Sequence, residues 1–248
     1  METFNEAPLN AFSHYKWTNG IIGVLDRQYP TYLSSYTSAL ILPSEDTHFI
    51  YVHEGETKLE WLDNPAGETL PIKATLHVGM FASVPGKVRI IGGKGIVISR
   101  EKWRGYFHIG MVEHEGRLKY IDGCTDSLLV PPVKYGDPCL NLLYFPEGID
   151  QTRHTHPSDR IGMVMSGRGL CHAWNNGEET LIDLVEGMIF CIHTNGIHKF
   201  STPYGEHMRV LAYHPDSDFG ATDQVHPMIN RTIVDGVSAS LLPNIQTK

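Results

Sequence analysis

Two histidines stand two residues apart in GIDQTRHTHPSDRIGMVMSG, which runs from Gly148 to Gly167. On an extended chain, residues i and i+2 leave the same face with Cα atoms about 6–7 Å apart. The imidazoles of His154 and His156 can therefore converge on one ion, at about 2.0–2.1 Å if it is zinc. Downstream, GMIFCIHTNGIHKF (Gly187 to Phe200) puts His198 at the start of a strand, after a turn at Thr194–Gly196. From there it can supply a third ligand from the opposite side of a barrel. Three neutral imidazoles leave a divalent metal with charge near +2 and open positions for water, oxygen or a chelating substrate. With Fe(II), substrate and O₂ can bind side by side. With zinc, nickel or manganese, the metal is a Lewis acid that stabilises an enolate or generates hydroxide.

Ligands brought together from distant segments need a rigid scaffold, and the chain reads as one made of strands. Short apolar or alternating runs recur between Gly, Pro, Asn and Asp, among them Gly20–Leu25, His48–His53, Val88–Ile91, Ile161–Met165, Leu170–Trp174 and Met208–Tyr213. No long window sustains a 3.6-residue period. The pattern predicts an all-β sandwich or barrel. It also repeats. FIYVHEGETKLEWLDN (Phe49–Asn64) aligns with IGMVMSGRGLCHAWNN (Ile161–Asn176), each a strand, a glycine-containing turn and a second strand. GMFASVPG (Gly79–Gly86) aligns with GMIFCIHT (Gly187–Thr194). The offset is far longer than the roughly 20–50 residues of a solenoid repeat, so two similar domains are expected. They divide at residues 1–115 and 116–248, the second including a C-terminal tail.

The spacing of these motifs resembles the cupin superfamily. The first cupin motif is Gly, five residues, His-x-His, three or four residues, Glu, six residues, Gly; Gly148, His154, His156 and Gly167 fall in register. The second is Gly, five residues, Pro-x-Gly, two residues, His; Gly187 and His198 fall in register. The resemblance implies two tandem jelly-roll barrels, or double-stranded β-helices, with a metal inside the second. It departs from the family at Arg160, which holds the glutamate position, and at His193 and Asn195, which hold the proline and glycine positions. Asn195 can still adopt the left-handed backbone a glycine would. In the first repeat the ligand positions fall on Leu42, Ser44, His48 and Ile90, so that barrel is expected to be metal-free. A three-histidine set resembles that of thiol, gentisate-type and β-diketone dioxygenases. One divalent metal is expected, Fe(II) first and Zn(II) next, in an oxygenase. The alternatives are a non-redox isomerase, decarboxylase, lyase or N–N-forming enzyme, and a non-catalytic bicupin that binds a small ligand.

Three further residues are candidates for catalysis. Arginine stays protonated and cannot ligate a metal, but Arg160 can hold a substrate carboxylate bidentately; the competing role is an ion pair with Asp159 or Asp183. His172 follows the Gly167 turn and is a candidate acid or base. Tyr213 and His214 end the last barrel strand and weigh equally as candidates, of which Tyr213 is taken. His193 sits on a turn, and Cys171 and Cys191 read as small buried hydrophobes.

Composition narrows the partners. The chain of 248 residues carries a formal net charge of −8, which argues against nucleic acid or an anionic membrane. Its four cysteines include no Cys-x-x-Cys pair, and its N-terminus lacks a basic start followed by an apolar core. Reduced thiols and a cytoplasmic location are expected. The expected partner is a small anionic substrate. A homodimer is possible, with the segment after Ser217 as an exchanged arm.

Overall fold

A computed structural model describes residues 10–63 and 71–245. Residues 1–9 of the N-terminal stretch read for a signal, Asn64 of the repeat, and the outer limits of the two expected domains lie outside the described residues. The described chain is nearly all antiparallel β-structure. No helix among these residues is long and apolar enough to cross a membrane.

The strands from Gly20–Leu25 to His108–Met111 pair only with one another. They make a six-stranded sheet and a four-stranded sheet, the latter ordered Leu40–Leu42, Val88–Ile91, Thr57–Trp61, Ile72–Leu76. Between these sheets lies an apolar interior that includes Tyr36, Ile50, Val52, Leu59, Ile90 and Val97. The later strands, from Leu118–Lys119 to Met208–His214, form a second system around Ala173, Phe190, Ile192, Phe200 and Val210. A third apolar layer joins the two systems. Strand alternation explains why Phe49–Val52, inside the strand Thr47–Glu54, reads as an unbroken apolar run. Ile50 and Val52 face the first interior, while Phe49 and Tyr51 face the joining layer, so both faces are buried.

Three features are not read from the sequence. Phe12–Tyr15 is a strand that joins the second system, pairing with Ile189–Ile192 in the register Ser13↔Cys191, although it precedes the first system in the chain. Beyond Ser217, the tail forms a short helix at Pro227–Arg231 and a two-stranded ladder, Ile233–Val234 with Val237–Ser238. Gly167, read as a turn, lies inside one 16-residue strand, Arg160–Asn175. Its first half pairs with Ile189–Ile192 and Met208–His214, and its second half with Glu178–Val185 and Ile197–Ser201. The bend between them needs glycine. Gly167 has φ 76, and a Cβ there would come within 1.9 Å of the His207 carbonyl oxygen. Gly167→Ala is therefore expected to destabilise by well over about 1 kcal/mol. Urea denaturation measures this, and a midpoint equal to wild type contradicts it.

Candidate metal centre

The three motif histidines come together. His154 and His198 are bridge partners, each backbone N–H bonding the other's carbonyl at 2.9 and 3.0 Å. His156 leaves the chain two residues on, where its carbonyl accepts the Asn195 N–H at 2.8 Å. Of His154 and His156, His154 lies in the β-bridge, while His156 follows in a loop rather than on a strand. Asn195 has φ 59, so asparagine provides the left-handed turn that carries the chain into Ile197–Ser201. The ring centroids of His154, His156 and His198 are 4.5–5.1 Å apart, and one nitrogen from each lies within 4.8 Å of the others.

Hydrogen bonds set two of the tautomers. His154 Nδ1–H donates to the Thr152 carbonyl at 2.8 Å, and His198 Nδ1–H donates to the Gly196 carbonyl at 3.0 Å. Each ring then keeps its Nε2 lone pair for a ligand, the usual way a metal-binding imidazole is oriented. Burial holds His198 down to about 4. Burial, Arg160 and the neighbouring imidazoles hold His156 down to about 2. Both are neutral at physiological pH, as ligation requires.

The site opens on a cavity of about 260 Å³, small for a ligand pocket. Its polar lining includes His156, Arg160, His198 and His214, and its walls include Phe190 and Phe200. Arg160 Nη1 donates to the Ser158 carbonyl and hydroxyl, to the Asp159 carbonyl and to Asp216 Oδ1. Its Nε is buried with no protein partner. At the far side, Asn141 Nδ2 donates to Asp126 Oδ2 at 2.7 Å, and burial raises the Asp126 carboxyl above its ordinary range. Burial and the charge of Arg160 hold His214 down to about 3.

No protein-family model matches the chain, and no curated protein matches it. Solved structures do. A cupin 2 conserved barrel domain protein from Leptotrichia buccalis aligns with TM-score 0.54 and 13% identity, over 84% of this chain and 90% of that one. Bacillus subtilis oxalate decarboxylase aligns with TM-score 0.56 and 10% identity, over 90% and 82%. A Pseudomonas syringae protein of unknown function aligns with TM-score 0.55 and 13% identity, over 82% and 99%. The chain has the cupin barrel fold.

Within this cupin fold, the other predicted site residues separate. Arg160 lines the cavity, and its acidic partner is Asp216 at 3.4 Å rather than Asp159 or Asp183. Tyr213 does not reach the cavity. It is fully buried in the joining layer, its ring 5.1 Å from that of Phe49. Alternation along Met208–His214 turns Val210, Ala212 and His214 toward the cavity instead. His172 also points away, to Glu179 Oε1 at 2.6 Å and Ser201 Oγ at 2.9 Å, while its neighbours Cys171 and Ala173 are buried in the second interior. The continuity of the strand through Gly167 puts it on the outer face. Sequence reasoning placed neither Asp126 nor Asn141 at the site and did not choose His214. In the first sheet system, the aligned ligand positions hold Leu42 and Ile90 in the apolar interior. His48 there is buried against Ser99 Oγ at 2.7 Å and the Pro43 carbonyl at 2.9 Å.

The depressed histidines make the metal-free protein sensitive to acid. Below about pH 6.5 the unfolded chain takes up protons that His156, His198 and His214 refuse when folded. Their contribution is complete above that pH and declines as pH falls toward the folded values. Urea midpoints of the metal-free protein should fall steadily from about pH 7 to pH 5; a flat series contradicts this.

Proposed function

We propose that this chain is a metal-dependent enzyme in which His154, His156 and His198 hold one divalent ion and Arg160 receives the anionic group of a small organic substrate. The observation that carries this reading is the convergence of three imidazole donors beside a small cavity lined by an arginine. When bound, the metal supplies Lewis acidity and, if it is iron, redox chemistry with O₂. The protein does the rest. Arg160, anchored through Nη1, presents the remaining edge of its guanidinium to a carboxylate. Phe190 and Phe200 limit the size of what enters and exclude water. The earlier strands form a second, degenerate barrel that acts as scaffold.

Iron-dependent oxygenation is the first chemistry to test. Non-redox chemistry is the second. His214 is neutral at physiological pH and lines the same cavity, so it can hydrogen-bond a bound substrate, but held down to about 3 it is too weak a base to take a proton from it. The Mn(II) centres of Bacillus subtilis oxalate decarboxylase add manganese to the metals worth loading. The experiment is a panel of small carboxylates, thiols and β-diketones, run with iron-loaded protein under oxygen and with zinc- or manganese-loaded protein without it. Oxygen consumption coupled to product supports the first chemistry, and anaerobic turnover supports the second. Silence in both arms with fully loaded protein overturns the enzymatic reading.

A further inference from the structure

A second group of ligating side chains lies on the other face of the same sheet. Cys191 stands between Phe190 and Ile192, which both line the cavity, so alternation sends its thiol the opposite way, into the layer joining the two sheet systems. There Cys191 Sγ is 3.8 Å from His193 Nδ1, and His193 Nδ1 is 4.0 Å from Asp159 Oδ1. The three donor atoms lie within 4.8 Å of one another.

We propose that Asp159, Cys191 and His193 form a second metal site, a structural one for Zn²⁺, distinct from the three-histidine centre. Zinc takes thiolate, imidazole and carboxylate ligands tetrahedrally, with Zn–S near 2.3 Å and Zn–N and Zn–O near 2.0–2.2 Å, so its ligand atoms stand roughly 3.3–3.6 Å apart. The Cys191–His193 and His193–Asp159 separations of 3.8 and 4.0 Å need to close by a few tenths of an ångström and by about 0.7 Å. Water completes the fourth position.

The surroundings are built for a cation. His193 Nε2 shares a hydrogen bond with Ser13 Oγ at 2.7 Å; with the proton on Nε2, the Nδ1 lone pair faces the thiol and the carboxylate. Thr194 fixes Asp159 Oδ1 through its N–H at 2.8 Å and its hydroxyl at 2.9 Å, and the Asp26 N–H fixes Oδ2 at 3.0 Å. Asp159 is 7% exposed, and its ion-pair partner among the described residues is His193 alone. A second carboxylate, that of Asp26, accepts the Asp159 N–H at 3.2 Å. The buried Asp159 carboxylate and the half-buried Asp26 carboxylate beside one imidazole carry negative charge that a dication offsets. The thiol's remaining acceptor is the Ile192 carbonyl at 3.5 Å, a contact it gives up, with its proton, when it ligates.

Such an ion staples distant segments. Ser13 belongs to the N-terminal strand, Asp26 follows the first strand of the first system, and Thr194 opens the turn leading to His198. Cobalt(II) substitution separates the two sites, because only a thiolate ligand gives an intense near-ultraviolet ligand-to-metal band. Wild-type protein should bind two equivalents and show the band. Cys191→Ser should lose the band and one equivalent while keeping the other. His198→Ala should lose one equivalent and keep the band, and zinc should still raise its Tm. The His198→Ala arm reads the second site even if Cys191→Ser fails to fold. A wild-type protein that binds one equivalent without the band, or a band that survives Cys191→Ser, overturns this site and leaves the three-histidine reading standing.

Discussion

His198→Ala is expected to abolish tight metal binding at the cavity and to bring the proposed activity down to background. The side chain is 1% exposed and contributes one of three imidazoles. Its loss leaves two donors, too few to hold a divalent ion against water. Removing a mere outer partner of a ligand costs about 10–100-fold in affinity, so removing a ligand should cost more. The fold survives, because the bonds that pair this strand with His154 run through the backbone and the imidazole's own hydrogen bond is to Gly196. Calorimetric titration with zinc reads the result directly. An isotherm like that of wild type removes His198 from the site.

The second large effect concerns Arg160. Its side chain is 15% exposed and its partner Asp216 is 20% exposed. Among the described residues, Arg160→Met leaves Asp216 with only the Ser158 hydroxyl as donor and should cost about 1–3 kcal/mol of stability. Adding Asp216→Asn removes the unpaired charge and should restore most of the stability. It should not restore substrate binding. A charged hydrogen bond is worth about 1.5–3 kcal/mol, so KM for an anionic substrate should stay raised roughly 10–150-fold in the double variant, with kcat changed less. Recovery of KM together with stability would make Arg160 a purely structural ion pair.

What could be read in advance follows from how local each feature is. Gly148, His154, His156 and Gly167 lie in one short segment, and Gly187 and His198 in another, so their spacing was visible and the structure joins them. Arg160's counter-ion was not visible, because Asp216 arrives from a distant segment after the last barrel strand. Tyr213 was placed on the wrong face because both faces of Met208–His214 are buried. An apolar strand packed on two sides carries no polar alternation to orient it, and the residue that meets the cavity is His214. His172 was misplaced for a related reason: Gly167 looked like a turn, while the chain bends there without ending its strand. The N-terminal strand was missed because FSHY has no strong pattern of its own and is a strand only by virtue of the edge it joins.

Anomalous diffraction at the zinc edge from zinc-loaded crystals shows whether three imidazoles share one ion at the edge of this cavity. A peak is expected about 2.0–2.1 Å from a nitrogen of each of His154, His156 and His198. A map with no peak there from protein that carries zinc in solution, with those rings bonded only to protein or water, contradicts it.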